Sequence, residues 1–263
     1  MSELTDSIER TRRTWAEHDD SEAQLAERRA RAAAAGAVRS LTEVLSEDRL
    51  ALIVEPKRAT PQRGTINPEL DVAAVVAECE AGGACAISIV TEPLLSAGKV
   101  EDLTAARGAC ELPLIARDFV VDVRQVYELR AAGADALHVP VSAHLDDDDH
   151  ELDVIILAAH QLGMEVVLSV HNDDELEFAI GTDADVLNID NRVGDGRIDV
   201  ERTFELLADV PVGWPVISES IAAVDHVAKL HRAGVDALLL DEGHLDTGLT
   251  SALAVYADLS LDA

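Results

Sequence analysis

"ALIVEPKRATPQRG" (residues 51–64) runs from four apolar residues straight into Glu55 and Lys57. Residues two apart on a strand point to the same side, so this acid and this base face one way. A strand that is apolar along its length is buried on both faces, as parallel sheets require. A buried strand that ends in two opposite charges predicts a barrel strand delivering reactive groups to an open mouth.

The rest of the chain repeats the pattern. Seven further short apolar runs follow "LALIVEPK" (50–57): "ACAISIVTE" (84–92), "LPLIARDF" (112–119), "ALHVPVS" (136–142), "EVVLSVH" (165–171), "DVLNIDNR" (185–192), "WPVISES" (214–220) and "DALLLDE" (236–242). Between them lie helical stretches such as "VRQVYELRAAGA" and "VDHVAKLHRAGV", each ending in the Gly that stops a helix. "AGGACAIS", "AAGADALH" and "RAGVDALL" form a weak internal repeat on the scale of one strand–helix unit. Eight such units predict an α/β fold, a (β/α)8 TIM barrel over 48–263. Residues 1–47 are rich in Ala, Leu, Glu and Arg and predict an N-terminal helical extension.

Composition narrows the function. The chain has 263 residues, 48% of them hydrophobic, and a formal net charge of −30. Such acidity excludes general affinity for nucleic acid or anionic membranes. Lysine occurs only at 57, 99 and 229, a balance that fits a salt-adapted or GC-rich source. Cys79, Cys85 and Cys110 have neither disulfide nor zinc spacing. The charged N-terminus does not resemble a signal peptide, and no apolar run approaches the ~20 residues of a membrane span, so a cytoplasmic, soluble protein is expected. "HLDDDDHELD" (144–153) reads as a solvated loop and helix start rather than a metal site, because consecutive residues cannot all face one ion.

Nearly every strand turns polar at its C-terminal end: Glu55 and Lys57; Thr91 and Glu92; Arg117 and Asp118; Ser169 and His171; Asp190, Asn191 and Arg192; Glu219 and Ser220; Asp241 and Glu242. Lys57, Arg58, Arg63, Lys99, Arg117, Arg192 and Arg197 also map to the mouth or its loops, which predicts a positive field and a small anionic substrate.

These motifs resemble the indole-3-glycerol-phosphate synthase family. "IVEPKRATPQRG" is similar to its first-strand motif, and "ISIVTEPLLSAGKVEDL", "LPLIARDFVVDVRQVYELRAAGADA", "GMEVVLSVHNDDELEFAI", "NIDNR", "VISES" and "LLLDEGHLDTG" follow in family order. The resemblance implies ring closure on an anthranilate-derived aminosugar with loss of CO2 and water, and no metal or organic cofactor. It implies catalytic roles for Glu55, Lys57, Arg117 and Glu219, and substrate contacts from Phe119, Asp190, Arg192, Ser220, Asp241 and Gly243.

The chain also departs from the family pattern. Arg117 stands in place of the strand-3 Lys that serves as general acid, and a guanidinium does not release its proton at neutral pH. Ser169 replaces a strand-5 Glu, Asp190 an Asn, Ser96 an aromatic. Ile221 and Asp241 replace glycines that hold phosphate on backbone N–H groups. The expectation is a lyase of this type with an altered substrate or reduced activity and weak phosphate binding. The alternative is a non-catalytic barrel acting as a binding or assembly subunit.

Overall fold

The structure, a computed structural model, describes residues 3–18, 21–47, 49–145, 150–193, 197–221, 226–241 and 253–254. Eight strands, each four to six residues, form the barrel: β1 (Ala51–Val54), β2 (Ala86–Val90), β3 (Leu114–Arg117), β4 (Ala136–Pro140), β5 (Glu165–Val170), β6 (Val186–Asp190), β7 (Val216–Glu219) and β8 (Ala237–Leu240). They pair in parallel in the closed order β1-β8-β7-β6-β5-β4-β3-β2. Closure leaves no strand edge to protect. The helices are α1 (Glu3–Ala16), α2 (Glu22–Ala33), α3 (Leu41–Leu45), α4 (Val72–Ala81), α5 (Val100–Arg107), α6 (Val123–Ala132), α7 (Glu151–Gln161), α8 (Asp173–Ile180), α9 (Glu201–Leu207) and α10 (Val227–Ala233). None of them is long and apolar enough to cross a membrane. The (β/α)8 barrel and its leading helices are those expected from the sequence.

The apolar runs split by alternation. Residues such as Leu52, Ile87, Leu114, Leu137, Leu168 and Leu238 face the helices and join one large outer core. The residues between them fill the barrel: Ala51, Ile53, Ala86, Ile115, Ala136, Val167, Val186, Ile217, Ala237 and Leu239. Leu41 and Leu45 of α3 join this inner cluster and plug the barrel's N-terminal end. The Glu165 carboxylate, at the start of β5, holds α3 there. It accepts from the backbone N–H of Leu41 at 2.6 Å and of Thr42 at 3.0 Å, and from both the Ser40 and Thr42 hydroxyls. The orphan N–H groups of this helix start are thereby paired.

The internal repeat has a physical meaning. Asp135, Asp185 and Asp236 each stand one residue before an even-numbered strand. Each carboxylate accepts from the first backbone N–H, or the next, of the preceding odd strand: Leu114 at 2.9 Å, Val166 at 2.7 Å and Val216 at 2.8 Å. In two copies of the repeat, at Asp135 and Asp236, the Asp two residues after the glycine is thus a clamp on the neighbouring strand, and Asp185, outside the repeat, does the same. Gly133 and Gly234, just upstream, take the left-handed conformation (φ 111° and 103°) that ends α6 and α10. In the "AGGACAIS" copy Cys85 replaces the Asp, and its Sγ reaches only the Gly83 carbonyl, at 4.0 Å.

The extension lies against the barrel at both ends. While α3 closes the bottom, Leu4 and Ile8 of α1 pack with Phe119, Val121 and Ala143 near the mouth. Between them α2 packs on α6, with Arg29 donating to the Tyr127 hydroxyl at 3.1 Å.

Two measurements check this account. Glu165→Ala strips buried N–H groups of their acceptor and is expected to lower unfolding stability by about 1–3 kcal/mol in urea titrations. An unchanged midpoint would show that α3 does not depend on this clamp. With a net charge of −30, the folded state repels itself, so the melting temperature should rise as NaCl is added and screens that repulsion. A flat salt response would contradict it.

Candidate active site

The inner apolar layer dictates what lies above it. Two residues beyond Ile53, Ala86, Ile115, Ala136, Val167, Val186, Ile217 and Leu239 stand Glu55, Ser88, Arg117, His138, Ser169, Asn188, Glu219 and Asp241. Side chains two apart share a face, so every strand places a polar group over the apolar floor. Apart from Arg117, all of them are buried.

Arg117 ties this layer together. Its Nη1 lies 3.2 Å from Glu55 Oε2 and 2.7 Å from Glu219 Oε1. Glu55 also pairs with Lys57 Nζ at 2.7 Å and accepts from the Ser88 hydroxyl. Burial pushes the Glu55 carboxyl up, but Arg117 and Lys57 outweigh it and hold it down at about 2. Glu219 accepts from Asn188 Nδ2 at 2.8 Å, and the same amide nitrogen reaches the Ser169 hydroxyl at 3.0 Å. Burial raises the Glu219 carboxyl, Arg117 opposes, and the charges of Asp190 and Glu55 add to the rise. For Arg117, burial works against its charge, but Glu219, Glu55 and Asp190 prevail and raise it further, so its proton is fixed. His138 goes the other way. Burial, with Arg117 alongside, pushes the imidazole down to about 3, so it is neutral. Its Nε2 lies 3.8 Å from Glu219 Oε2, beyond hydrogen-bond reach.

A second group lies on the rim. His171 contacts Asp190 through Nε2 at 3.3 Å and Glu175 through Nδ1 at 3.0 Å. Burial lowers this imidazole, but the two carboxylates outweigh it and raise it to about 10, so it carries a charge. Asp190 is lowered in turn: burial raises it, and His171 and Arg117 more than compensate. Arg192 Nη2 lies 3.3 Å from the buried Asp241 carboxylate. Most of these groups face a cavity of about 640 Å³, whose wall includes Lys57, Arg117, Phe119, His138, His171, Asp190, Arg192 and Glu219, with Glu3 and Leu4 of α1, but not Asp241.

The structure therefore gathers Lys57, Arg117, Phe119, Asp190, Arg192 and Glu219 around one cavity, with Glu55 buried beneath Lys57 and Arg117. Gly243 and Glu242 lie outside the described residues, as does the Asp146–Asp149 stretch. Ser220 does not line this cavity. It is fully buried in a left-handed conformation (φ 57°), and its hydroxyl has no hydrogen-bond partner. That conformation costs a non-glycine residue about 1–2 kcal/mol.

The expected positive field is only partly present. Arg58 points away from this cavity into a bidentate pair with Asp102, and Lys99 lines a separate cavity of about 340 Å³ beside α1. Glu92 is no free acid. It accepts from the backbone N–H groups of Leu94, Leu95 and Ser96 and shapes the loop after β2. Inspection of strand ends misses Ser88, His138 and Asn188, which sit inside the strands. Their signal is the two-residue step from Ala86, Ala136 and Val186. Among the described residues, no group of three or more His, Cys, Asp and Glu side chains could hold a metal ion.

Comparison with known proteins places this geometry. The family model described as "Indole-3-glycerol phosphate synthase" matches residues 5–247. An indole-3-glycerol phosphate synthase of Rhizorhabdus wittichii is 36% identical over 225 residues, 84% of each chain. One of Dechloromonas aromatica is 35% identical over 212 residues, 80% of this chain and 79% of the other. Among solved structures, 3-hexulose-6-phosphate synthase from Salmonella typhimurium matches with a TM-score of 0.64 at 17% identity, covering 81% of this chain and 99% of that one. Thiamine phosphate pyrophosphorylase from Pyrococcus furiosus matches with a TM-score of 0.60 at 17% identity, covering 82% and 97%. Those two likenesses establish the barrel alone. On the match to the family model and to the two synthases, the chain belongs to the indole-3-glycerol phosphate synthase family.

Proposed function

We propose that this protein is a carbon–carbon lyase of the indole-3-glycerol phosphate synthase type. In this reading it closes an indole ring on an anthranilate-derived aminosugar, releases CO2 and water, and accepts a substrate without a phosphate or with a weakly held one. The observation that carries the reading is the ionic network Lys57–Glu55–Arg117–Glu219 set at the base of one open cavity.

The chemistry asks for three things. The ketone oxygen must gain a proton as the aromatic carbon bonds to the ketone carbon. The carboxylate on that aromatic carbon then leaves as CO2, and its electron pair restores the aromatic ring. Dehydration finally removes the hydroxyl together with one proton, and a second proton from the neighbouring carbon. Arg117 cannot give up a proton, so its part is a fixed positive charge that polarises the ketone. Lys57, an ammonium on the cavity wall, supplies the first proton, with Glu55 holding its Nζ in place at 2.7 Å. Glu219, the carboxyl raised by burial, is suited to exchange protons during dehydration. Phe119, half-buried on the wall, offers a face for the aromatic ring.

Support for the phosphate-poor reading comes from Asp241. It is 4% exposed and pairs with Arg192 at 3.3 Å. A phosphate there would meet a carboxylate and would compete for a guanidinium that is already engaged.

The direct assay supplies the family substrate with and without its phosphate and follows indole fluorescence and CO2 release. Neither signal from either substrate would sink the reading. Lys57→Met is expected to cut turnover by about 10²–10⁴-fold, the usual contribution of a general acid, while substrate binding changes far less. Turnover equal to the parent would remove Lys57 from the proton path. The parent should bind inorganic phosphate only at millimolar or weaker levels by calorimetry, and Asp241→Gly should tighten it. Micromolar binding by the parent would show that the phosphate site is intact.

A further inference from the structure

The polar layer contains one neutral ring whose hydrogen-bonding capacity nothing in it uses. His138 is 3% exposed, and neither its Nδ1 nor its Nε2 has a hydrogen-bond partner. A buried polar atom left unpaired is costly, and an imidazole always carries at least one N–H donor. Such a residue is retained most cheaply where a ligand completes its bonds. His138 sits at the right place for this. It lines the cavity, and its Cα is in register with Arg117 on β3 and Val167 on β5. Four residues on, the Ser142 hydroxyl also lines the cavity and also lacks a partner. The β4 side of the cavity thus presents donors and acceptors with no charge of their own.

The neighbours define what can sit there. Arg117 on β3 and Glu219 on β7 are paired with each other at 2.7 Å, and His138 Nε2 lies 3.8 Å from the other oxygen of Glu219. Glu55, just past β1, and Asp190 on β6 add negative charge. An anion at His138 would meet Glu219, and a cation would meet Arg117. An uncharged oxygen meets neither penalty and can both accept from and donate to the ring.

We infer that His138 is a substrate-contacting residue that hydrogen-bonds an uncharged hydroxyl or carbonyl oxygen of the ligand at the base of the cavity, with Ser142 beside it, and so selects for a hydroxylated chain attached to the aromatic ring. The inference rests on the proposed indole-forming reading and deepens it. It assigns the recognition of the sugar-derived chain to the β4 side.

The test compares two probes by calorimetry: indole-3-glycerol, and 3-propylindole, which lacks the hydroxyls. His138→Leu should weaken indole-3-glycerol binding by about tenfold, the worth of one buried hydrogen bond, and leave 3-propylindole within about twofold. His138→Gln, which keeps a donor and an acceptor, should restore most of the loss. Structural damage would weaken both probes together, so equal losses overturn the inference, as does a His138→Leu protein that binds indole-3-glycerol like the parent. A parent protein that binds neither probe at millimolar concentration and makes no indole overturns the functional reading, and this inference with it.

Discussion

Two carboxylates buried inside a barrel need a cation between them, and Arg117 is that cation. Glu55, just past β1, and Glu219 on β7 are 0% and 3% exposed. Removing the cationic partner of such a buried group typically costs about 3–5 kcal/mol, because a desolvated charge is left behind. One nitrogen of this guanidinium, Nη1, reaches both carboxylates at once from β3. The remaining polar groups fit around this bridge. Ser88 and Lys57 complete Glu55, and Asn188 completes Glu219. The same fixed charge that stabilises the barrel's interior is the charge a ketone would meet on entering.

The electrostatics of the mouth depend on pairing more than on composition. His171 is charged because it lies between Asp190 and Glu175, and His138 is neutral because it is buried beside Arg117. Arg192 and Arg58, both arginines near strand ends, do different things. The first stays on the cavity wall while leaning on the buried Asp241, and the second is taken up by Asp102 away from the cavity. In a chain with a net charge of −30, most cations find an acid close by. The field offered to a ligand is set by the few whose pairing still leaves them on the cavity wall.

The strand–helix alternation was legible because each strand is buried on both faces and the helices α4, α5, α6, α8 and α10 stop at a glycine, and both constraints act locally. The repeat was legible too, but its meaning was not. That its Asp135 and Asp236, like Asp185 outside it, clamp the neighbouring strand depends on which strand lies beside which. Site residues at strand ends, such as Glu55, Lys57 and Glu219, stand out where an apolar run turns polar. Ser88, His138 and Asn188 do not, since each is followed by a further apolar residue of its strand. Only the inward face of a closed barrel picks them out.

The sequence by itself determined the barrel, its leading helices and the first-strand acid–base pair, because these follow from periodicity, propensity and residue spacing. Tertiary structure alone decided which charges neutralise one another. Arg117 could have faced solvent, and barrel closure instead sets it inward on β3, two strands from β1 and opposite β7, within reach of both carboxylates. It also decided that one histidine is charged and another neutral. Coulomb and desolvation energies depend on distance and burial, which residues far apart in the chain acquire only when the eighth strand closes on the first.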